Sequence, residues 1–473
     1  MVERVSRGTR RVAVIGSGVS GLTAAWALAR SAEVTLYEAQ ARLGGHADTH
    51  RIISGTGAPI GVDTGFIVHN DRTYPTLLRL FGELGVATQE SDMSMSVRCD
   101  GCGLEYAGAR GLTGLFATPR SVTRGRYLRL LIEVPRFHRL ALAELDATEF
   151  DATELDTTEF DATEPDATEL EVAELEVAEL DTAGSDGRTL GEFVRAAGFS
   201  DYFVAHFLTP LVSAVWSCDP TTALLYPARY LFAFLQHHGM LTVFGSPTWR
   251  TVVGGSGTYV RAVADRLDTV RAATPVRAVH RVADGVAVRD DADEVALFDA
   301  VVVATHPDEA LALLAEPTDA ERAILSAMPY SVNHTVLHTD ESVLPKATRA
   351  RASWNYRLPS CTTRADRVLV SYDLTRLQRL DHADERRFLV TLGDQDRVAE
   401  DRILDRMVYE HPIYTPDSVA AQRKLGDIGD NRVAFAGAYH GWGFHEDGAV
   451  SGLRAARRLG AEWAGEPLAA HAS

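Results

Sequence analysis

The chain has 473 residues, 46% apolar and 24% charged, the balance of a soluble globular protein large enough for two or three domains. The formal net charge is −18, but sixteen of the 65 acidic residues fall between Glu144 and Asp181, where no Lys or Arg occurs, and outside that stretch 47 basic residues face 49 acidic ones. No basic patch argues for nucleic acid, four cysteines are too few for a disulfide framework, and no apolar run reaches the ~18 residues of a membrane span.

The start, MVERVSRGTR, is basic with no apolar signal region behind it, so a cytoplasmic protein is expected, with peripheral membrane contact as the alternative. Val12–Ile15 is an all-apolar run, as in a buried parallel strand. Gly16-Ser-Gly18-Val19-Ser20-Gly21 follows, then an Ala/Leu-rich helix from Leu22 to about Arg30 and a second strand, Val34–Tyr37, ending at Glu38. Helical spacing returns over Thr73–Gly85. Met93–Tyr106 alternates around Asp100-Gly101, a hairpin-turn pair.

Tyr127–Leu142 reads as a helix and runs into a five-residue repeat from Asp146 to Leu180. A period of five advances about 140° per repeat on a helix and gives no apolar stripe, so a solvated insertion without chemistry is expected. Helices follow at Leu190–Arg195, Phe203–Leu211 and Tyr226–His238. Then come a loop with Gly254-Gly255 leading into a helix to Leu267, a hairpin over Val276–Val288 and a buried strand at Ala300–Ala304. Strands around Val332–His338 and Val368–Tyr372 precede a last unit, Val433–Gly437, a loop to Asp447 and a helix to about Leu459.

These elements imply an α/β fold in which a Rossmann-type dinucleotide-binding domain is assembled from residues 10–85, 246–307 and 426–465. An inserted α+β substrate domain takes residues 86–245, with the acidic insertion at 144–182, and residues 308–425.

In the first loop Gly16 permits the tight turn, Gly18 lets the backbone approach a pyrophosphate and Gly21 lets the helix pack on the strand. The helix N-terminus, at Val19 and Ser20, presents N–H groups to phosphate. Glu38 stands 22 residues after Gly16, where a carboxylate receives the adenosine ribose. The next residues are Glu38-Ala39-Gln-Ala-Arg42-Leu-Gly44-Gly45-His46. They resemble the glycine pair that extends the fingerprint in the flavin-containing amine oxidase superfamily, which implies FAD as cofactor, non-covalent because the final motif has no Cys.

That resemblance covers most of the chain outside the repeat, with further anchors at Val62–Phe66 (VDTGF), Val301–Thr305 (VVVAT) and the final VAFAGAYHGWGFHEDGAVSGLRAA. It implies that the last segment runs under the flavin, with Gly437, Ala438, Gly448 and Ala449 against the ring, and it adds Val276 and Thr305 to the cofactor set. Two departures stand out: His46 where the superfamily usually has Arg, and Ala438 where it usually has Glu. Within the superfamily the chain is most similar to a bacterial group of predicted FAD-binding proteins linked to enzymes that methylate or cyclopropanate membrane acyl chains.

His445-Glu446-Asp447 supplies titratable groups beside the final helix. A histidine near its ordinary pKa of ~6.5 can relay a proton, which makes His445 the candidate catalytic residue, with helix capping as the alternative. For Asp447 capping is the preferred reading, beside contact with the cofactor's ribityl hydroxyls. His237-His238 ends a helix without a carboxylate or Cys at ligand spacing, Cys99-Asp-Gly-Cys102 is a single pair on a turn, and Cys218 and Cys361 are isolated in sequence, so no metal is expected. No GxSxG elbow points to hydrolysis.

Aromatic residues gather in the inserted domain (Trp216, Tyr226, Tyr230, Phe232, Phe234, Trp249, Trp354, Tyr356), where some should line an apolar cavity. The chain has only two lysines, Lys346 and Lys424, which weighs against the lysine-assisted chemistry of many amine oxidases. The expected partner is an apolar small molecule or acyl chain undergoing desaturation, oxidation or a double-bond shift. Amine oxidation and a non-catalytic flavoprotein subunit of a lipid-modifying complex are the alternatives.

Overall fold

A computed structural model describes residues 10–154, 187–242, 245–362, 365–380 and 384–463, with side chains omitted over 147–154. At its centre lies a five-stranded parallel sheet in the order Thr269–Arg271, Ala32–Tyr37, Arg10–Ile15, Ala300–Val303, Val433–Phe435. Its inner strands are near-continuous Val, Ile and Ala because both faces are covered. The order reverses direction at Arg10–Ile15, between Ala32–Tyr37 and Ala300–Val303, and Gly16 and Thr305 follow the carboxyl ends of two adjacent strands there. That crevice is where open α/β sheets take their ligands.

On one face the helix Val19–Leu28 packs against the last helix, His445–Arg458. A Cβ at Gly448 would stand 2.6 Å from Val19 Cγ1, and one at Gly452 would stand 2.1 Å from the Ser20 carbonyl oxygen. Two glycines four residues apart therefore let two backbones touch. The other face carries an antiparallel triplet, Val276–Val282, Gly285–Asp290 and Val295–Phe298.

The second layer is a seven-stranded sheet in the order Ile403–Pro412, Tyr330–His338, Leu389–Leu392, Val370–Asp373, Trp354–Leu358, Met95–Cys99, Leu104–Ala107. It draws strands from residues 95–107 and 330–412, and the pair that joins those stretches, Trp354–Leu358 with Met95–Cys99, is parallel. Helices Gly125–Glu154, Leu190–Ala196, Asp201–Trp216 and Ala228–His237 bury Phe137, Phe193, Phe203 and Phe232 against one another and share a core with that sheet.

Two readings need amendment. Phe203–Leu211 is not a plain α-helix: Val204–Leu208 is a π-turn inside the run from Asp201 to Trp216. The helix expected to stop at Leu142 continues to Glu154, so the backbone of 146–154 is helical, while the rest of the acidic repeat lies outside the described residues. Among the described residues no helix is long and apolar enough to cross a membrane.

Candidate flavin site

The phosphate end is built from backbone. Gly16 has φ +99°, and a Cβ on it would meet the Ala304 carbonyl oxygen at 2.6 Å; one on Gly21 would meet the Gly16 oxygen at 1.9 Å. Gly18 differs, since nothing lies within 4 Å of its missing Cβ. It N-caps Val19–Leu28 with no side-chain acceptor on the free N–H groups. Open space before an uncapped helix N-terminus fits a pyrophosphate.

Gly44 and Gly45, at φ +114° and +55°, close the same spot, with a Gly45 Cβ falling 3.2 Å from Gly18 Cα. Ser17 links the two loops: its N–H and hydroxyl donate to Glu38 Oε2 at 3.0 and 2.5 Å, and its Oγ accepts the Gly44 N–H at 3.0 Å. Glu38 Oε1 accepts the Gln40 N–H at 2.9 Å, and Ala39 beside it is exposed. Arg42 braces the turn from behind, donating to the Gly45 and Ala47 carbonyls and pairing with Asp48. Thr305 sits against Gly16, and Val276 opens the strand after the Glu38-contacting loop, opposite Asp290.

His46 lies against Tyr409 and His411, and burial pushes its pKa down to about 3. Its Nε2 is buried with no hydrogen-bond partner, as is Nε2 of His440 in the C-terminal loop. Two orphaned nitrogens at the two ends of the expected site are what a polar cofactor would satisfy.

Sequence reading missed the support behind the glycine pair. Asp63 of VDTGF accepts the Ser256 N–H and hydroxyl and the Thr49 hydroxyl, at 2.5–2.9 Å, and burial raises its pKa to about 6. Gly61 and Gly255 pack against this knot. The signal was present as two glycine-rich motifs, VDTGF and GGSG, whose spacing gave no hint that they meet.

The loop Gly437–Phe444 forms the other end. Gly437 is needed because a Cβ would stand 2.1 Å from the Tyr439 ring, and its N–H donates to Ser451 Oγ. Ala438 opens a 3-10 turn whose carbonyl accepts the Gly441 and Gly443 N–H groups. The Gly441 carbonyl collects three donors from elsewhere in the chain: Tyr230 Oη and Tyr414 Oη, both 2.8 Å, and Gln422 Nε2, 2.6 Å. Trp216 Nε1 donates to the Trp442 carbonyl at 3.0 Å. Around that loop Phe234 stacks on Phe444 at 4.8 Å and lies 4.6 Å from Trp216 and 5.8 Å from Trp442.

His445 opens the last helix and is buried. Its ring stacks on Phe66 at 3.6 Å, its Nε2 is 3.2 Å from the Tyr259 hydroxyl, and burial lowers its pKa far below the ordinary value. A neutral, sandwiched imidazole packs the helix start rather than titrating. Glu446 accepts the Thr76 and Leu77 N–H groups and so caps Pro75–Leu84. Asp447 accepts the Phe444 N–H at 2.8 Å and turns toward Gly441, so the capping reading describes it and its oxygens shape the loop. Burial raises both carboxyls to about 7. Gly448 serves helix packing, with fully buried Ala449 beside it.

Both lysines are exposed and lie away from these loops in sequence. The reading of Cys361 as isolated needs correction: its Sγ is 3.6 Å from Cys99 Sγ, across 262 residues of sequence.

Comparison with known proteins finds the same fold. Solved structures with the same fold include cyclohexylamine oxidase from Brevibacterium oxydans IH-35A (17% identity, TM-score 0.64, 95% of this chain and 98% of that one). Putrescine oxidase bound to putrescine (16%, 0.62, 95% and 98%) and the CLA-producing fatty acid isomerase from P. acnes (14%, 0.63, 96% and 99%) are likewise similar. No curated protein matches the sequence significantly. Residues 19–460 match the family described as flavin containing amine oxidoreductase, and the chain therefore belongs to that family of FAD-dependent oxidoreductases.

Proposed function

We propose that the protein acts on an apolar substrate, a fatty-acyl or isoprenoid chain, at a carbon centre held against the flavin by the aromatic wall of the inserted domain. The observation that carries this reading is the composition of that wall. Phe234 lies 4.6 Å from Trp216, 4.8 Å from Phe444 and 5.8 Å from Trp442, and Trp216 lies 6.1 Å from Phe444, so two rings of the inserted domain meet two of the C-terminal loop. Such surfaces bind hydrocarbon by excluding water.

FAD, when bound, supplies hydride transfer to or from carbon, and the protein orients the substrate and keeps the site dry. The glycine loop, Gly44-Gly45 and Glu38 would hold the adenosine and pyrophosphate. The loop Gly437–Phe444 would carry the ring, fixed by three donors on the Gly441 carbonyl. Burial disfavours the charged form of His445, and the Asp447 carboxylate accepts the Phe444 N–H and so holds the loop. Exposed Lys346 and Lys424 also favour a carbon substrate over an amine.

Anaerobic mixing of the purified flavoprotein with unsaturated, methylated and cyclopropanated acyl chains, and in parallel with mono- and polyamines, tests the proposal. Flavin bleaching or a displaced double bond in the acyl arm is expected. Bleaching in the amine arm alone would overturn it, and no change in either would favour a flavoprotein subunit without turnover of its own.

A further inference from the structure

Outside the flavin site the structure gathers three cysteines and a histidine into one cluster. The Sγ atoms of Cys99, Cys102 and Cys361 and a ring nitrogen of His206 all lie within 4.8 Å of one another. Cys99 Sγ and Cys361 Sγ are 3.6 Å apart, and Cys102 Sγ is 3.7 Å from His206 Nε2. A tetrahedron with metal–sulfur bonds of ~2.3 Å and a metal–nitrogen bond of ~2.0 Å sets its ligand atoms about 3.5–3.8 Å apart. From this geometry we infer that Cys99, Cys102, Cys361 and His206 bind one structural zinc ion.

The surroundings are built for ligation. Cys99 ends the strand Met95–Cys99 and Cys102 lies on the turn before Leu104–Ala107, where the Gly103 N–H donates to the Cys99 carbonyl at 2.8 Å. Gly101, between the two cysteines, has no room for a side chain: a Cβ would stand 2.9 Å from Ser360 Cα and 3.0 Å from the Cys361 nitrogen. That close approach delivers the third cysteine.

The fourth ligand comes from the π-turn Val204–Leu208. A π-turn spoils the regular helix ladder and recurs at functional positions. Here Thr209 Oγ1 donates to the Val204 carbonyl at 3.0 Å, and Tyr106 Oη donates to the His206 carbonyl at 2.8 Å. The His206 Nδ1 lies 3.1 Å from the Tyr202 carbonyl, so the proton belongs on Nδ1 and the Nε2 lone pair faces the sulfurs. Tyr202 stacks on the imidazole at 3.8 Å and sets its hydroxyl 3.6 Å from Cys102 Sγ. Three thiolates and one neutral imidazole match zinc, which takes such sets as closed four-coordinate structural sites.

The ion would join three pieces that are remote in sequence: the 95–107 hairpin, the end of the strand Trp354–Leu358, and the helical run Asp201–Trp216. Since that run ends on Trp216, zinc would anchor the segment whose Trp216 Nε1 donates to the Trp442 carbonyl. Its role is to hold the inserted domain together; no ligand position is left for substrate.

The test is metal analysis of the full-length flavoprotein, expressed with zinc and purified without chelator. About one zinc per chain is expected, released by a mercurial thiol reagent, and cobalt substitution should give the strong visible absorption of a tetrahedral thiolate site. Cys361→Ser and His206→Asn should each drop zinc below about a tenth of an equivalent, whereas Cys218→Ser should keep it. Wild-type protein with four titratable thiols and no zinc would overturn the assignment even if the variants fail to fold. So would a Cys99–Cys361 disulfide in a peptide map, iron in place of zinc, or zinc retained by both ligand variants.

Discussion

The two ends of the flavin site are made by different physics. At the phosphate end the contacts are backbone on backbone: Gly16, Gly21 and Gly45 are there because a Cβ would strike a main-chain atom or push into the ligand's space. At the ring end the Gly441 carbonyl is fixed by side chains, Tyr230 from 211 residues away and Tyr414 and Gln422 from the segment before the last strand, and aromatic side chains surround the loop. The first end should be intolerant and local, the second tolerant and distributed.

The sharpest way to break that contrast is inside the glycine loop itself. Gly21→Ala puts a methyl 1.9 Å from a carbonyl oxygen that cannot yield, and should cost on the order of 3 kcal/mol in a urea melt together with the bound flavin. Gly18→Ala meets nothing within 4 Å, so the apoprotein should melt unchanged while FAD affinity falls about tenfold, or ~1.4 kcal/mol. Equal stability losses in the two variants would show that Gly18 is only a turn residue.

At the ring end the double variant Tyr230→Phe, Tyr414→Phe leaves Gln422 as the remaining side-chain donor described on the Gly441 carbonyl. Turnover should fall several-fold with flavin retained, and stability by about 1 kcal/mol per lost hydrogen bond. Loss of flavin instead would mean that the loop holds the cofactor and not its orientation.

A smaller effect should appear in pH dependence. His238, stacked on Phe234, has its pKa driven by burial from 6.5 to about 3. Between those values the unfolded chain binds the proton and the folded one does not, so its contribution is complete above pH 6.5 and lost as pH falls. Glu446 and Asp447, raised to about 7, act oppositely, their contribution fading as pH rises through that value. His238→Phe should flatten the acid side of a melting-temperature profile, and an unchanged slope would remove it from this account.

The smallest effect belongs to His445→Gln. A neutral ring between Phe66 and Tyr259 should cost about 1 kcal/mol of stability and shift turnover less than about threefold. Disappearance of an ionisation from the rate profile would restore the proton relay.

The same division explains what could be read from the chain. Gly16 to Glu38 is a single β-turn-α-β unit whose spacing is its geometry, so it was legible. Asp63 with Ser256, and Tyr230 with Gly441, depend on contacts across nearly two hundred residues or more, and no periodicity records them. Cys99 and Cys361 were missed for that reason: one lies on a turn and the other in a loop, and a parallel strand pair in the second sheet brings them together. His445 is a different case. Its residue type suggested proton transfer, and burial against Phe66, invisible in sequence, decided its charge.

The most direct test of an apolar carbon substrate is the lipid profile of cells with and without the gene, complemented by the wild-type chain or by Gly18→Ala. An acyl or isoprenoid species should change on deletion, return with the wild-type chain and stay altered with the weakly flavin-binding variant. An unchanged lipid profile beside an accumulating amine would contradict it.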